Sequence, residues 1–127
     1  PWGCYGLSIE DAEGIDVGTG RLNTNAIVSA CDEKETAAQV CINYEHEGFS
    51  DWFLPSLEEL ELIAENLGYD DEFSEIIQFD NANYLSSTQL KNKKHKINYA
   101  WAVNLNEGYT LTSYKSNKQK VRAVRAF

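Results

Sequence analysis

One stretch of the chain carries apolar residues at clear helical spacing. Leu57, Leu60, Ile63, Ala64 and Leu67 fall on one face, with Glu58, Glu61 and Glu65 on the other. Ser56 precedes the run and Glu59 follows three residues later. That pair forms a capping box, in which the serine hydroxyl accepts from the third helical amide and the glutamate reaches back to the cap amide. Gly68 supplies a stop. Upstream, Asn23 or Thr24 can cap a short helix running through Ala30, and a second helix is expected from Glu35 to Tyr44, ending near Gly48. Trp2 to Gly6 reads as a short strand or extended start, 14–20 as a glycine-punctuated loop, Trp52 to Leu54 as a short buried strand, and 70–79 as a short irregular helix.

Past residue 80 the pattern changes to period two, with β-branched and aromatic residues. Tyr84–Thr88, Tyr99–Asn104, Tyr109–Tyr114 and Val121–Phe127 are candidate strands, and Asn104 to Gly108 a hairpin turn. Polar loops are expected at 91–98 and 116–120. Helices first and an antiparallel sheet afterwards is the order of an α+β domain. The 127 residues suffice for a single domain over 1–127, and no apolar stretch approaches membrane-spanning length. The chain begins at Pro1 and reads as a processed product or an excised domain.

Charge divides the chain sharply. Residues 1–90 carry two basic against 19 acidic side chains, a balance of −17; residues 91–127 carry nine basic against one acidic, a balance of +8. The acidic body disfavours nonspecific nucleic-acid binding, and the asymmetry points either to a partner surface or to two solvated faces that attract each other. Lys91, Lys93, Lys94, His95 and Lys96 make one basic loop, and Lys115, Lys118 and Lys120 a second; together they would form a cationic patch on one side of the sheet. Lysine runs are often mere solvation. Here Tyr99, Tyr109 and Tyr114 interleave with Asn98, Asn104, Asn106 and Asn117, a mixture of area, hydrogen bonding and charge suited to recognition. The candidate ligand-binding set is therefore Lys93, Lys94, Lys96, Tyr99, Asn104, Asn106, Tyr109, Tyr114 and Lys118.

Other chemistry is sparse. The three cysteines have no C-x-x-C spacing and there is no paired histidine, so no transition-metal site and no cofactor is expected. Asp70-Asp71-Glu72 and Asp80-Asn81-x-Asn83 offer oxygen ligands to calcium if the fold brings them together, and otherwise serve as acidic connectors. Cys41 lies in an apolar helical run and reads as a buried thiol; Cys4 and Cys31 can pair, which would suit an exported protein. Nucleophile-elbow, zincin and Walker signatures are absent, and His46 and His95 have no nucleophile nearby in sequence, so no enzyme is expected. Trp52 and Trp101 sit in apolar strands, where core packing outweighs sugar stacking as an expectation. Strand alternation puts Arg122 and Arg125 on opposite faces, so one can be buried against a carboxylate while the alternative is an anion site lined by both.

Several strings acquire meaning in their order. Gly18-Thr19-Gly20 and Asn23-Thr24-Asn25-Ala26-Ile27-Val28 lead in. Asp51-Trp52-Phe53-Leu54-Pro55-Ser56 with Glu59-Leu60 follows, then Tyr84 to Thr88, Tyr99 to Asn104 and Val121 to Phe127. This series resembles the Lcl C-terminal-domain family, found at the ends of bacterial collagen-like adhesins and other bacterial surface proteins. The family often has Trp where Leu85 stands and Glu where Gln89 stands. The resemblance implies kinship with C-type-lectin and formylglycine-generating-enzyme folds. It also implies an extracellular or cell-surface location. It implies a non-catalytic binding module for glycans or anionic surface polymers; the alternative is a display domain whose partner is a protein. The cysteine chemistry of the formylglycine-generating enzymes does not carry over, because all three cysteines lie at or before Cys41.

Overall fold

The computed structural model describes residues 1–68, 82–90 and 97–125. Helices α1 (Gly20–Ala30), α2 (Ala37–Asn43) and α3 (Leu57–Ile63) come first, and α3 runs on into a π-helical turn, Ala64–Gly68. Strands β1 (Asn83–Gln89), β2 (Tyr99–Asn104) and β3 (Thr110–Tyr114) follow as an antiparallel sheet in the order β1-β2-β3. The architecture is α+β, as the pattern predicts. The Ser56–Glu59 capping box is present in full: Glu59 N–H donates to Ser56 Oγ and Ser56 N–H to Glu59 Oε1.

Other boundaries differ. Helix α1 starts at Gly20 with Thr19 as its cap, so Asn23 and Thr24 are not caps but buried interior residues. Its first residue is glycine because a side chain there would meet the Ser56 amide 2.8 Å away and overlap the Glu59 carboxylate. Helix α2 begins two residues later than Glu35, because Thr36 takes the cap and accepts from Gln39 N–H. Residues 2–6 form no strand; positive φ at Gly3, Cys4 and Gly6 coils them into turns. Trp52–Leu54 and the stretch from Val121 onward reduce to a single antiparallel bridge, Phe53 with Val124. Residues 126–127 and the expected helix at 70–79 lie outside the described residues.

The sheet buries both faces. Leu85, Ala100 and Ala102 turn to one side, where they pack with Trp2, Ile9, Ile27, Ala38, Cys41 and Leu54. Tyr84 and Val103 turn to the other, against Leu57, Leu60 and Ala64 of α3 and its extension, with Trp101 packed alongside. This explains why β1 is buried along almost its whole length instead of alternating.

Between these layers lies a rank of buried polar side chains. Pairing of β1 with β2 breaks between Leu85 and Gln89. There the Ser86 hydroxyl donates to the Trp101 carbonyl (2.7 Å) and accepts from Thr88 N–H (3.1 Å), replacing lost ladder bonds. The outer side of β1 faces loops. Thr88 Oγ1 donates to the Gly14 carbonyl (2.7 Å) and accepts from Leu57 N–H (3.0 Å), while Ser87 N–H donates to the Pro55 carbonyl (2.7 Å). Asn23 Nδ2 donates to the Gly14 carbonyl (2.7 Å) and its Oδ1 accepts from Gly14 N–H (3.1 Å). Thr24 Oγ1 donates to the Gly20 carbonyl (2.7 Å) and accepts from Leu54 N–H (3.0 Å). Buried backbone groups of irregular segments need such partners, since an unmade bond in the interior is costly.

Asn23→Ala leaves the Gly14 N–H without its partner, while the Gly14 carbonyl keeps Thr88 Oγ1, and should lower unfolding free energy by about 1–3 kcal/mol, roughly one unmet buried group. Asn25→Ala, at an exposed site on the same helix, should stay within about 0.5 kcal/mol of the parent. Equilibrium denaturation of both variants checks this; equal effects would mean that the amide at 23 is not a structural anchor.

Candidate functional site

The β2–β3 hairpin distributes the sequence-predicted residues between its two ends. Tyr99 and Tyr114 are direct cross-strand partners at one end. Asn104 and Tyr109 lie at the other, on either side of the turn. Five residues of strand, roughly 17 Å at about 3.3 Å per residue, separate Tyr99 from Asn104. The tyrosines and asparagines are thus two groups and not one.

At the turn end, Asn104 is buried. Its Oδ1 accepts from Asn106 N–H (3.0 Å) and Glu107 N–H (2.8 Å), and its Nδ2 donates to the Tyr109 hydroxyl (3.2 Å). Asn104 therefore holds the turn together. Asn106 and Tyr109 remain exposed beside it, and Gly108 takes the positive φ that closes the turn.

At the other end stands a surface of three tyrosines. The Tyr99 and Tyr114 rings stack with centroids 4.6 Å apart, and Tyr5 lies 6.4 Å from Tyr114. Tyr5 is 55% and Tyr114 45% exposed. The Tyr99 phenol is pushed above its ordinary range, chiefly by its side-chain hydrogen bond with Tyr114 and then by partial desolvation. Asn98 borders the group: its Oδ1 accepts from Gly6 N–H, and its carbonyl accepts from Lys115 N–H. Tyr5 comes from the opposite end of the chain, in a segment expected to be merely extended. A residue flanked by Cys4 and Gly6 carries the hint of a fixed turn, yet nothing in sequence links it to position 114.

Two features fix the segment bearing Tyr5. Cys4 is disulfide-bonded to Cys31, just past α1, and Cys4 N–H donates to Glu33 Oε2 (2.8 Å). The second feature corrects the sequence reading. Lys115, expected in a solvated basic loop, is completely buried. Its Nζ donates to the Leu7 carbonyl (2.7 Å) and to Gln89 Oε1 (2.8 Å) and sits 4.5 Å from the centre of the Trp2 ring. Gln89 is itself anchored, donating to the Ile9 carbonyl (2.6 Å) and accepting from Ile9 N–H (3.0 Å). Burial pulls the Lys115 ammonium down to about 8 from an ordinary 10.5, with Glu13 opposing weakly. Lys118 is exposed in the connection after β3. Lys93, Lys94 and Lys96 lie outside the described residues, as do Asp70 to Asn81 of the candidate calcium ligands.

The two arginines of the C-terminal motif part company as alternation suggests. Arg125 grips Asp51 in a fork, Nε to Oδ1 at 2.7 Å and Nη2 to Oδ2 at 3.1 Å, and lies 3.7 Å over the Phe49 ring. This hydrogen bond holds the Asp51 carboxyl below its ordinary range. Arg122 is exposed and lines a groove with Val40, Cys41, Tyr44, His46, Trp52, Val121 and Ala123. Trp52 is half-buried there and Trp101 half-buried against the α3 side of the core. Among the described residues, three possible metal ligands converge at Cys4, Cys31 and Glu33, but the two sulfurs are bonded to each other, which leaves the carboxylate alone.

The chain matches the family model of the Lcl C-terminal domain over residues 11–125 and belongs to that family. Membership points to an adhesin-like domain of a bacterial surface protein. No curated protein and no solved structure matches the chain. Among the described residues, no helix is long and apolar enough to cross a membrane.

Lys115 makes stability depend on pH in a definite direction. Between about pH 8 and the ordinary lysine range, the folded chain has released this proton and the unfolded chain still holds it, so stability rises with pH across that window. Below about pH 8 both states are charged and the burial cost is felt in full. Lys115→Met should lack the rise. The measurement is the difference in unfolding free energy between parent and variant at neutral pH and in mildly alkaline buffer, in which tyrosine ionisation cancels. A difference that does not move with pH would show that Lys115 titrates normally.

Proposed function

We propose that this Lcl C-terminal domain is a non-catalytic binding module of an exported bacterial surface protein, recognising glycans or anionic surface polymers through the Tyr5–Tyr99–Tyr114 surface. The observation that carries the reading is this group of three rings, the half-buried Tyr99 stacked on the exposed Tyr114 with the exposed Tyr5 tilted beside it, secured from below by the disulfide and by Lys115. Phenol rings offer flat apolar area together with a polar tip, the combination that suits sugar rings. Their mutual stacking reduces the freedom lost on binding. The balance of +8 over residues 91–127 supplies long-range attraction for a polyanion, with Lys118 and the lysines of 91–96 contributing charge. Asn106 and Tyr109 at the far end of the hairpin can extend contact along a polymer, though not to a single sugar.

Retention on an immobilised sulfated polysaccharide across a salt gradient tests this. The parent domain should bind at low salt and elute as salt rises. Tyr114→Ala should weaken the affinity about tenfold, the equivalent of ~1.4 kcal/mol. Exchange of Lys93, Lys94 and Lys96 for glutamate should bring elution at clearly lower salt with the melting temperature nearly unchanged. Unaltered retention in both variants would sink the proposal. Capture of a protein ligand, indifferent to the polymer, would favour the display-domain alternative.

A further inference from the structure

The sheet ends on an unpaired edge. Strand β3 is bonded to β2 alone, and the order β1-β2-β3 leaves its other side open. The register decides which backbone groups face outward. Asn104 N–H donates to the Tyr109 carbonyl (2.9 Å) and Lys115 N–H to the Asn98 carbonyl (2.8 Å), so Tyr109, Leu111, Ser113 and Lys115 are the residues whose backbone faces β2. Thr110, Thr112 and Tyr114 therefore turn their N–H and C=O groups away from the sheet. Among the described residues, no backbone group bonds these three amides or the carbonyls of Thr110 and Thr112; the Tyr114 carbonyl accepts from Asn117 N–H in the following turn (3.0 Å). All three residues are exposed.

Edge strands are commonly blocked by a lysine, a proline, a bulge or a covering element. The stretch Thr110-Leu111-Thr112-Ser113-Tyr114 contains neither a charge nor a proline. Its pairing with β2 runs from Tyr99–Tyr114 to Val103–Thr110 without a bulge. The charges stand at its two ends and differ in sign. Glu107 precedes the strand and Glu61 accepts from Thr110 Oγ1 (2.8 Å), whereas the exposed Lys118 follows it. An antiparallel pair of such edges sets the acidic end of each against the basic end of the other. A parallel pair would set like against like.

We propose that β3 is a self-association edge, on which a second copy of this chain pairs antiparallel along Thr110–Tyr114 about a two-fold axis at Thr112. Thr112 then exchanges both backbone bonds with Thr112 of the second copy, and Thr110 faces Tyr114 on either side of the axis. Three facing pairs supply about six hydrogen bonds. A two-fold contact is closed and stops at two chains. One short strand is a small interface of the transient class, with a dissociation constant of about 10 µM to 1 mM. The pair carries both Tyr114 rings on one face of a continuous sheet. The contact itself is made by backbone, and it stands whether or not those rings bind a ligand.

Sedimentation velocity of the full chain between about 10 µM and 1 mM should show the mass rising from one chain toward two. Amide hydrogen exchange locates the contact. The Leu111 and Ser113 amides, bonded within the sheet, should be slow at every concentration. Those of Thr110, Thr112 and Tyr114 should be fast in dilute solution and at least about tenfold slower in concentrated solution. Thr112→Lys and Thr112→Glu each place like charges across the axis and should each remain single chains, whereas an equal mixture of the two should pair. Both substitutions keep the backbone bonds to β2, so slow Leu111 and Ser113 amides report an intact fold. A parent chain still single at about 1 mM, association that leaves Thr112 fast, or a mixture that fails to pair would each overturn the assignment. A Thr112 amide already slow in dilute solution would mean that the chain covers its own edge, and slowing only on addition of a synthetic peptide of sequence 110–114 would give the edge to a foreign strand. Either result would overturn self-pairing.

Discussion

The structure depends on satisfying backbone polar groups where the sheet stops being regular. Strand β1 has β2 on one side and mostly loops on the other. Its stretch from Ser86 to Gln89 is buried all the same. An apolar strand at this place would leave the amides of Leu57 and Ile9 without partners and take one of two donors from the carbonyls of Gly14 and Ile9. Hydroxyl and amide side chains resolve the conflict, each bonding a backbone group that no strand or helix can reach. Asn23 and Thr24 do the same from α1. The helices, the irregular segments and the sheet thereby share one hydrogen-bonded centre.

That centre extends to the surface through Gln89 and Lys115. A buried ammonium is normally expensive. Here it finds two oxygens and an aromatic face, and it joins the N-terminal segment to the end of β3. The placement of Tyr5 beside Tyr114 is a consequence of this interior bond as much as of the disulfide. The position at which the family often carries glutamate is the one that meets the lysine. With glutamine there, the contact has hydrogen-bond geometry but no opposing charge, which leaves desolvation as the leading influence on Lys115.

The sequence speaks clearly wherever a local signal suffices. The heptad-like spacing from Leu57 and the Ser56–Glu59 pair identify α3 and its cap, and the alternation of Tyr99 to Asn104 marks β2 to the residue. Asn104 to Gly108 is equally visible as a turn. Failures occur where distant partners decide. Asn23 and Thr24 look like caps because their side chains bond backbone, and they do so, but across the core and not at a helix end. Lys115 looks like solvent-facing charge because lysine usually is; its burial comes from Trp2, Leu7 and Gln89, which no spacing rule connects. The candidate site was readable as a composition, tyrosine with asparagine and lysine, but its division between the two ends of a hairpin required the register of Tyr99 with Tyr114. The groove at Trp52 was missed because its two walls lie about seventy residues apart in sequence.

The lone Cys41 bears on the order of events during maturation. Three thiols permit three pairings, and two of them would tie α2 into the wrong place. In the unfolded chain all three titrate in the usual range and compete for oxidation. Once α2 has docked, the Cys41 thiol is buried among apolar neighbours and pushed up to about 12, so almost no thiolate remains to attack the Cys4–Cys31 bond. The packing of α2 against the core thus withdraws the third thiol from exchange with the Cys4–Cys31 bond.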